Sequence, residues 1–245
     1  MNSEQYMDDP VFDVYAPMIR SWDQRTKIKP DVFPGCQLAK ELYAETPILA
    51  WTALVASVDN LAALLKLYEH ESLEFHDTAF FSIARPPLLA ASTAYWLLAP
   101  RKYQHRIRRG LSLLEENLVN IDGFQRPLVG DQEQSSLSFA DEIEKERSRI
   151  ANVWQSLGVP PKEKPDDTWI VDYTARTLEK QDRCDHTQVL SYWRLCSGHA
   201  HAMRWAMKMP QPENPYTSMN NLMGIGVALT YAAFELWDER TLVQH

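Results

Sequence analysis

The chain has 245 residues, of which 45% are hydrophobic and 11% aromatic, a composition typical of a globular protein and not of a disordered one. It contains only eight glycines. Sandwiches, barrels and doubly wound sheets use glycine at turns and phosphate-binding loops, so this scarcity favours long helices. The net charge of -8 argues against a broad basic face for nucleic acid.

The cysteines and the N-terminal sequence indicate an intracellular protein. Cys36, Cys184 and Cys196 are odd in number and lack paired metal spacing, which disfavours a disulfide scaffold or a zinc knuckle. The first five residues contain no apolar core, and no run reaches the ~18 uninterrupted apolar residues of a membrane span. We therefore expect a cytoplasmic protein that does not contact a membrane.

Apolar residues at helical spacing, with proline and glycine stops between them, predict a series of helices. Strand-like alternation and fixed-period repeats are not visible, so the expected fold is an all-α bundle of about eight helices without a sheet. Prolines at 17 and at 86 and 87 should kink or divide two of the elements. The predicted helices cover 10–22, 37–44, 46–68, 77–98, 101–121, 139–157, 168–181, 186–209 and 218–240.

The predicted organisation is an aromatic N-terminal arm and loop at residues 1–36, followed by a helical bundle at 37–245. The polar break at 122–136 contains two glycines and a proline, and is the candidate internal linker. Aromatic side chains between Tyr6 and Trp22 are costly to leave in water. We expect them to pack against the bundle or against a second protomer.

A basic run opens the helix predicted at 101–121, and it has two interpretations. It consists of Arg101, Lys102, His105, Arg106, Arg108 and Arg109. The plainer interpretation is a solvated helix face. The alternative is a contact patch for an anion or an RNA backbone, which requires that the run lie beside the segment that contains Arg194.

That segment, residues 192–205, contains two arginines, two histidines, a serine and three aromatics within a predicted helix. In a regular helix, seven residues return His201 to within about 20° of Arg194, whereas five residues place His199 roughly 140° away. Ser197 and Arg204 lie three or four residues from His201 on nearly the same stripe. The predicted constellation is therefore Arg194, Ser197, His201 and Arg204.

Arg194 followed by His199 after four residues and by His201 after six resembles the Arg-x4–6-His motif of HEPN domains. That resemblance implies an all-helical, metal-independent ribonuclease in which the Arg and His of two protomers meet at a dimer interface. It also implies a toxin or phage-defence role, RNA as substrate and a cognate antitoxin or other partner protein. Leu195 stands where HEPN nucleases often carry a small polar residue. Residues 85–98, RPPLLAASTAYWLL, are similar to a segment of actinobacterial helical proteins of unknown function.

The candidate catalytic residues are Arg194, His201, His199 and Ser197, and the candidate substrate-binding residues are Arg204, Arg85, Arg106 and Arg109. An imidazole can move a proton near neutral pH, and a guanidinium can hold a phosphate as charge develops on it. No metal or cofactor is expected, because two histidines two residues apart on a helix cannot both face one ion.

The alternative is a non-catalytic helical module that binds a partner protein or a ligand. In such a module the Arg-His-Ser residues form a buried network that joins helices, and Tyr192, Trp193 and Trp205 belong to the core. Exposure discriminates between the two interpretations. Catalytic side chains must reach solvent or a cleft, whereas structural ones are sealed.

Overall fold

The computed structural model describes residues 10–30, 32–69, 77–125, 133–210 and 215–242. These residues form nine α-helices and one 3-10 helix, and they contain no β-strand. The prediction of an all-α, multi-helix fold without a sheet is confirmed. The elements are α1 (Pro10–Thr26), the 3-10 helix (Leu38–Ala44), α2 (Thr46–Glu69), α3 (Asp77–Leu98), α4 (Tyr103–Gln125), α5 (Glu133–Ser156), α6 (Asp167–Glu179), α7 (His186–Ala200), α8 (Arg204–Met207) and α9 (Pro215–Thr241).

The chain divides into two compact units. The first unit comprises Met1–Asp31, Ala50–Leu98 and Asp166–Glu239, and the second comprises Val32–Leu49, Ala99–Pro165 and Arg240–His245. The first unit thus contains α1, α3, α6, α7 and α8 together with most of α2 and α9. The second contains the 3-10 helix, α4 and α5.

In the first unit, α3 packs against α6 and α7. Helix α1 buries Ile19 completely and stacks Trp22 on Phe234 of α9, with ring centroids 5.5 Å apart. Trp22, at the end of the aromatic arm, therefore packs against α9 of its own unit. Tyr6 lies outside the described residues. Stacking of this kind removes apolar ring area from water, which stabilises the packed helix.

The three helix-interior prolines are accommodated without ending a helix. Pro17 lies inside α1, and Pro86 and Pro87 lie inside α3, which begins at Asp77 and not at the prolines. Ser57 of α2 donates a hydrogen bond to the carbonyl of Pro87 at 3.3 Å. This bond joins α3 to α2 at the prolines, where the missing backbone N–H groups weaken the helix.

Helix α2 is the one helix among the described residues that is long and apolar enough, by length and composition, to cross a membrane. Its Leu54, Val58 and Leu61 are fully buried in the protein. A core helix with these residues satisfies the same length and composition criterion.

In the second unit, α4 and α5 enclose the core. Ile107, Leu111 and Leu114 of α4 pack with Ile150 and Trp154 of α5. Helix α5 ends just before Gly158, whose φ of 63° is the left-handed conformation expected of a glycine stop. Of the predicted linker, residues 122–125 and 133–136 are helical, and 126–132 lie outside the described residues.

Candidate functional site at the end of helix α7

The prediction of one helix over residues 186–209 is wrong, because α7 ends at Ala200 and only the short α8 follows. The N–H of Ala202 bonds to the carbonyl of His199 at 3.0 Å, and the N–H of Met203 bonds to that of Gly198 at 2.8 Å. This is the double hydrogen bond of a Schellman ending. It places Ala202 in the left-handed region, with φ 51°.

Gly198 explains why the chain can turn back at this point. A Cβ atom on residue 198 would lie 2.6 Å from Cβ of Ala206 and 2.7 Å from Cζ2 of Trp205. These distances are far below van der Waals contact, so any side chain would push α8 away from α7. The glycine thus allows α8 to fold onto the last turn of α7.

This ending rearranges the predicted constellation. Arg194 and Ser197 remain on α7, but His201 is its C-terminal cap and Arg204 begins α8. The angular relation between Arg194 and His201 assumed a regular helix, and that assumption holds only as far as Ala200.

The histidines differ sharply in exposure. His199 is 3% exposed and stacks on Phe81 of α3, with ring centroids 4.5 Å apart and planes at 21°. His201 and Arg194 are exposed to solvent. Within the part of the chain that the structure describes, neither of these two side chains forms a hydrogen bond or an ion pair. By the exposure criterion, Arg194 and His201 are available to a substrate, and His199 is sealed.

Arg85 of α3 joins three helices in what we call the Arg85 cluster, formed with Asp167, Trp193 and Ser197. Its Nε donates to Oγ of Ser197 at 3.1 Å, and its guanidinium lies 4.5 Å from the ring centroid of Trp193. A nitrogen of Arg85 also lies 3.8 Å from a carboxylate oxygen of Asp167. Cation–π and charge-assisted contacts in this half-buried setting stabilise the packing of α3, α6 and α7.

The Arg85 cluster therefore uses two predicted site residues, Arg85 and Ser197, for contacts within the protein. Trp193 is buried, as the core interpretation expects, and its indole N–H donates to Oγ of Thr168 at 3.2 Å. Asp167 was not among the predicted residues. Nothing in its local sequence distinguishes it from an ordinary acidic residue at the start of a helix.

Arg106, in the second unit, is also committed to the protein interior. Its side chain is 1% exposed and forms a salt bridge with Glu41, which is fully buried; Nε lies 2.9 Å from the carboxylate. Its Nη1 donates to the carbonyls of Pro100 and Arg101 at 2.6 and 3.1 Å. Burial raises the pKa of Glu41, and the hydrogen bond and charge of Arg106 act against that rise.

The other residues of the basic run form a solvated helix face only in part. Arg101, Lys102 and His105 are exposed, as in a solvated face, whereas Arg108 and Arg109 are half-buried. Arg106 belongs to neither interpretation. Its donors already bond to a carboxylate and two carbonyls, so this guanidinium is a structural group.

Helix α8 presents an exposed surface of mixed character, which we call the α8 surface. Met203, Trp205, Met207 and Met209 are each about half exposed, with Trp205 at 51%. The exposed cations Arg204 and Lys208 alternate with them. The expectation that Trp205 belongs to the core is therefore wrong: one edge of its indole lies against Gly198, and about half of the residue is exposed.

Two further observations bear on chemistry. Among the described residues, no group of three or more His, Cys, Asp or Glu side chains is arranged to hold a metal ion. Cys196, next to Ser197, is fully buried, and this burial raises the pKa of its thiol to about 12. A thiol in that environment is a poor nucleophile.

Fold and site together define an all-helical protein with exposed Arg194 and His201 beside a cationic, aromatic surface. The chain matches no family model, and neither a curated protein nor a solved structure matches it significantly. Its function is therefore argued from these side chains.

Proposed function

We propose that this chain is a HEPN-like, metal-independent endoribonuclease in which Arg194 binds the scissile phosphate and His201 transfers the proton. The observation that carries the proposal is the exposure of both side chains, Arg194 on the last two turns of α7 and His201 at its C-terminal cap, in contrast to the burial of His199. Catalytic groups must reach the substrate, and an imidazole is the side chain best suited to proton transfer near neutral pH.

The α8 surface supports single-stranded RNA as the substrate. A half-exposed indole held at one edge, as Trp205 is, offers a face on which a base can stack for about 1–3 kcal/mol. Arg204 and Lys208 are exposed on either side of it in the sequence. Such a local patch binds phosphates even on a chain with a net charge of -8.

Two copies of the chain are needed in this proposal. Helix α7 rises about 9 Å along its axis from Arg194 to Ala200, and His201 follows as its C-terminal cap. Helical side chains lean toward the N-terminus, so Arg194 leans away from His201 of its own chain. We therefore place the phosphate on Arg194 of one protomer, within reach of His201 of the partner subunit in a homodimer.

The reaction follows from the groups present. The imidazole takes the proton from a ribose 2′-hydroxyl, and the 2′ oxygen attacks phosphorus as the bond to the 5′ oxygen breaks. The imidazolium formed in this step returns its proton to the leaving 5′ oxygen, and the products are a 2′,3′-cyclic phosphate and a 5′-hydroxyl. The guanidinium of Arg194 stabilises the negative charge on phosphorus oxygens during this step. A toxin or defence role, a cognate antitoxin and a cytoplasmic location complete the proposal.

The test is cleavage of a fluorescent single-stranded RNA by the full chain in the presence of EDTA. His201→Ala should lower the rate by ~10²-fold or more, and Arg194→Lys should also lower it because an ammonium lacks the bidentate fork. His105→Ala, at an exposed histidine of the second unit, is the matched control and should leave the rate unchanged.

His199→Phe distinguishes the two histidines. Phenylalanine keeps the stacking on Phe81, so the variant should fold and retain activity if His201 transfers the proton. Loss of cleavage in a folded His199→Phe protein would assign the proton transfer to His199 instead.

The second candidate function is the non-catalytic interaction module, and the Arg85 cluster favours it. The bond from Arg85 to Ser197 and the separate stacking of His199 on Phe81 both join α3 to α7, as contacts in such a module would. In this case Ser197→Ala lowers the unfolding temperature because Nε of Arg85 loses its acceptor, at a cost of about 1–3 kcal/mol. His199→Ala lowers it because the ring that stacks on Phe81 is removed from the interior. A wild-type protein without RNA-cleaving activity would favour this module over the nuclease.

A further inference from the structure

A cleft of about 470 Å³ lies between α4 and α5 in the second unit. Its floor consists of the buried side chains Leu118, Ile150 and Trp154, and Val119 and Val159 contribute to its walls. The volume is within the range of small-molecule sites, about 300–1,000 Å³, and such sites are apolar with a few placed polar groups. This cleft has that composition.

Glu115 is the first of two charged groups in the cleft lining. Its Oε1 accepts a hydrogen bond from the indole N–H of Trp154 at 2.8 Å. That bond fixes the orientation of the carboxylate and leaves its second oxygen for another donor. Burial raises the pKa of Glu115, and the bond from Trp154 opposes that rise. A cation placed against this carboxylate would relieve the cost of keeping it ionised.

Arg147 is the second charged group of the lining, and acidic neighbours already balance its charge. Its guanidinium nitrogens lie 3.4 Å from Asp122 and 3.8 Å from Glu144. Because these two carboxylates, which lie outside the cleft lining, already contact Arg147, its guanidinium attracts an anion less strongly. Glu115 is the carboxylate of the lining, and its charge favours a cationic ligand over an anionic one.

We propose that the cleft binds a small amphipathic amine, with its apolar body on Leu118, Ile150 and Trp154 and its ammonium group bonded to Glu115. The apolar floor accounts for affinity, and the carboxylate accounts for selection of a cation over a neutral or anionic analogue. This site is independent of Arg194 and His201, so it stands or falls separately from the nuclease proposal.

The test uses three probes that share an indole ring and differ in charge: tryptamine, indole-3-ethanol and indole-3-propionate. Isothermal titration of the full chain should show tryptamine binding at least about ten-fold more tightly than the alcohol, and the propionate more weakly than either. Propionate binding as tight as that of tryptamine, or the absence of binding by all three probes at millimolar concentration, would overturn the proposal.

Variants connect the binding to the cleft. Glu115→Gln keeps an acceptor for Trp154 and removes the charge, so it should weaken tryptamine about ten-fold and leave the alcohol unchanged. Glu116→Gln is the matched control, because Glu116 pairs with Lys164 at 3.3 Å and does not line the cleft. Ala151→Trp places an indole in the cleft and should abolish binding of all three. Unchanged tryptamine affinity in Glu115→Gln or in Ala151→Trp refutes the site.

Discussion

Replacing Arg106 by methionine is expected to destabilise the protein strongly. The change leaves the carboxylate of Glu41, which is fully buried, without its guanidinium partner, and it removes the donors to the carbonyls of Pro100 and Arg101. Breaking a buried ion pair by removing one partner costs about 3–5 kcal/mol. Because whole domains are stable by only about 5–15 kcal/mol, a large part of the stability should be lost.

The assay is guanidinium unfolding followed by circular dichroism, for three variants. Arg106→Met should lower the free energy of unfolding by about 3–5 kcal/mol. The double variant Glu41→Met with Arg106→Met, which removes both charges, should recover most of that loss. Arg101→Met, at an exposed position of the same basic run, should change stability by under about 0.5 kcal/mol.

The pH dependence of Arg106→Met provides a second measurement. Arg106 lowers the pKa of Glu41 against the effect of burial, so its removal should raise that pKa further. A carboxyl whose folded-state pKa is raised loses its stabilising contribution as pH increases through that pKa. The deficit of the variant should therefore be smaller near pH 4 than at pH 7. An Arg106→Met protein as stable as Arg101→Met would refute the structural role and leave Arg106 available as a substrate contact.

Three further predictions concern stability. Gly198→Ala places a Cβ 2.6 Å from that of Ala206, whereas the Cβ of Gly123→Ala meets nothing within 4 Å. Both variants gain helix propensity. The difference between their free energies of unfolding should therefore report the overpacking at residue 198, about 1–3 kcal/mol. Equal effects of the two would contradict the folding of α8 onto α7. Trp22→Ala should lower the free energy of unfolding by about 3–5 kcal/mol, since Trp22 is buried against Phe234. Val14→Ala, at an exposed position of the same helix, should be nearly neutral. A protein that lacks residues 1–25 and is as stable as the intact chain would show that α1 contributes nothing to stability. Burial raises the pKa of Glu115, so its contribution to stability is present at acid pH and declines as pH rises. Glu115→Gln should accordingly be more stable than wild type at pH 7 and equally stable near pH 4. Denaturant unfolding at the two pH values measures this difference, and a variant less stable than wild type at pH 7 would contradict the reasoning.

The helices themselves could largely be predicted from the sequence. The predicted start of α2 at Thr46 agrees with the structure, as does the stop of α5 before Gly158. Periodic apolar residues, caps and glycine stops act within a few residues of the chain, so the local sequence is sufficient to predict their effect. The prolines do not divide the helices that contain them, because α1 continues through Pro17 and α3 through Pro86 and Pro87.

The site depended on contacts between residues far apart in sequence. Arg106 is buried because Glu41, 65 residues earlier, neutralises it, and Arg85 reaches Ser197 across 112 residues. The end of α7 lies at Ala200, although the left-handed residue there is Ala202 and not a glycine or asparagine.

The sequence by itself therefore determined an all-helical chain and placed Arg194, His199 and His201 within one short segment of it, whereas the end of α7 at Ala200 came from the structure. The tertiary structure decided which of these side chains reach solvent. His199 is sealed where its ring stacks on Phe81 of α3, and His201 is exposed at the C-terminal cap, where α7 ends. Burial and pairing depend on which distant surfaces meet, and helical periodicity contains no information about that.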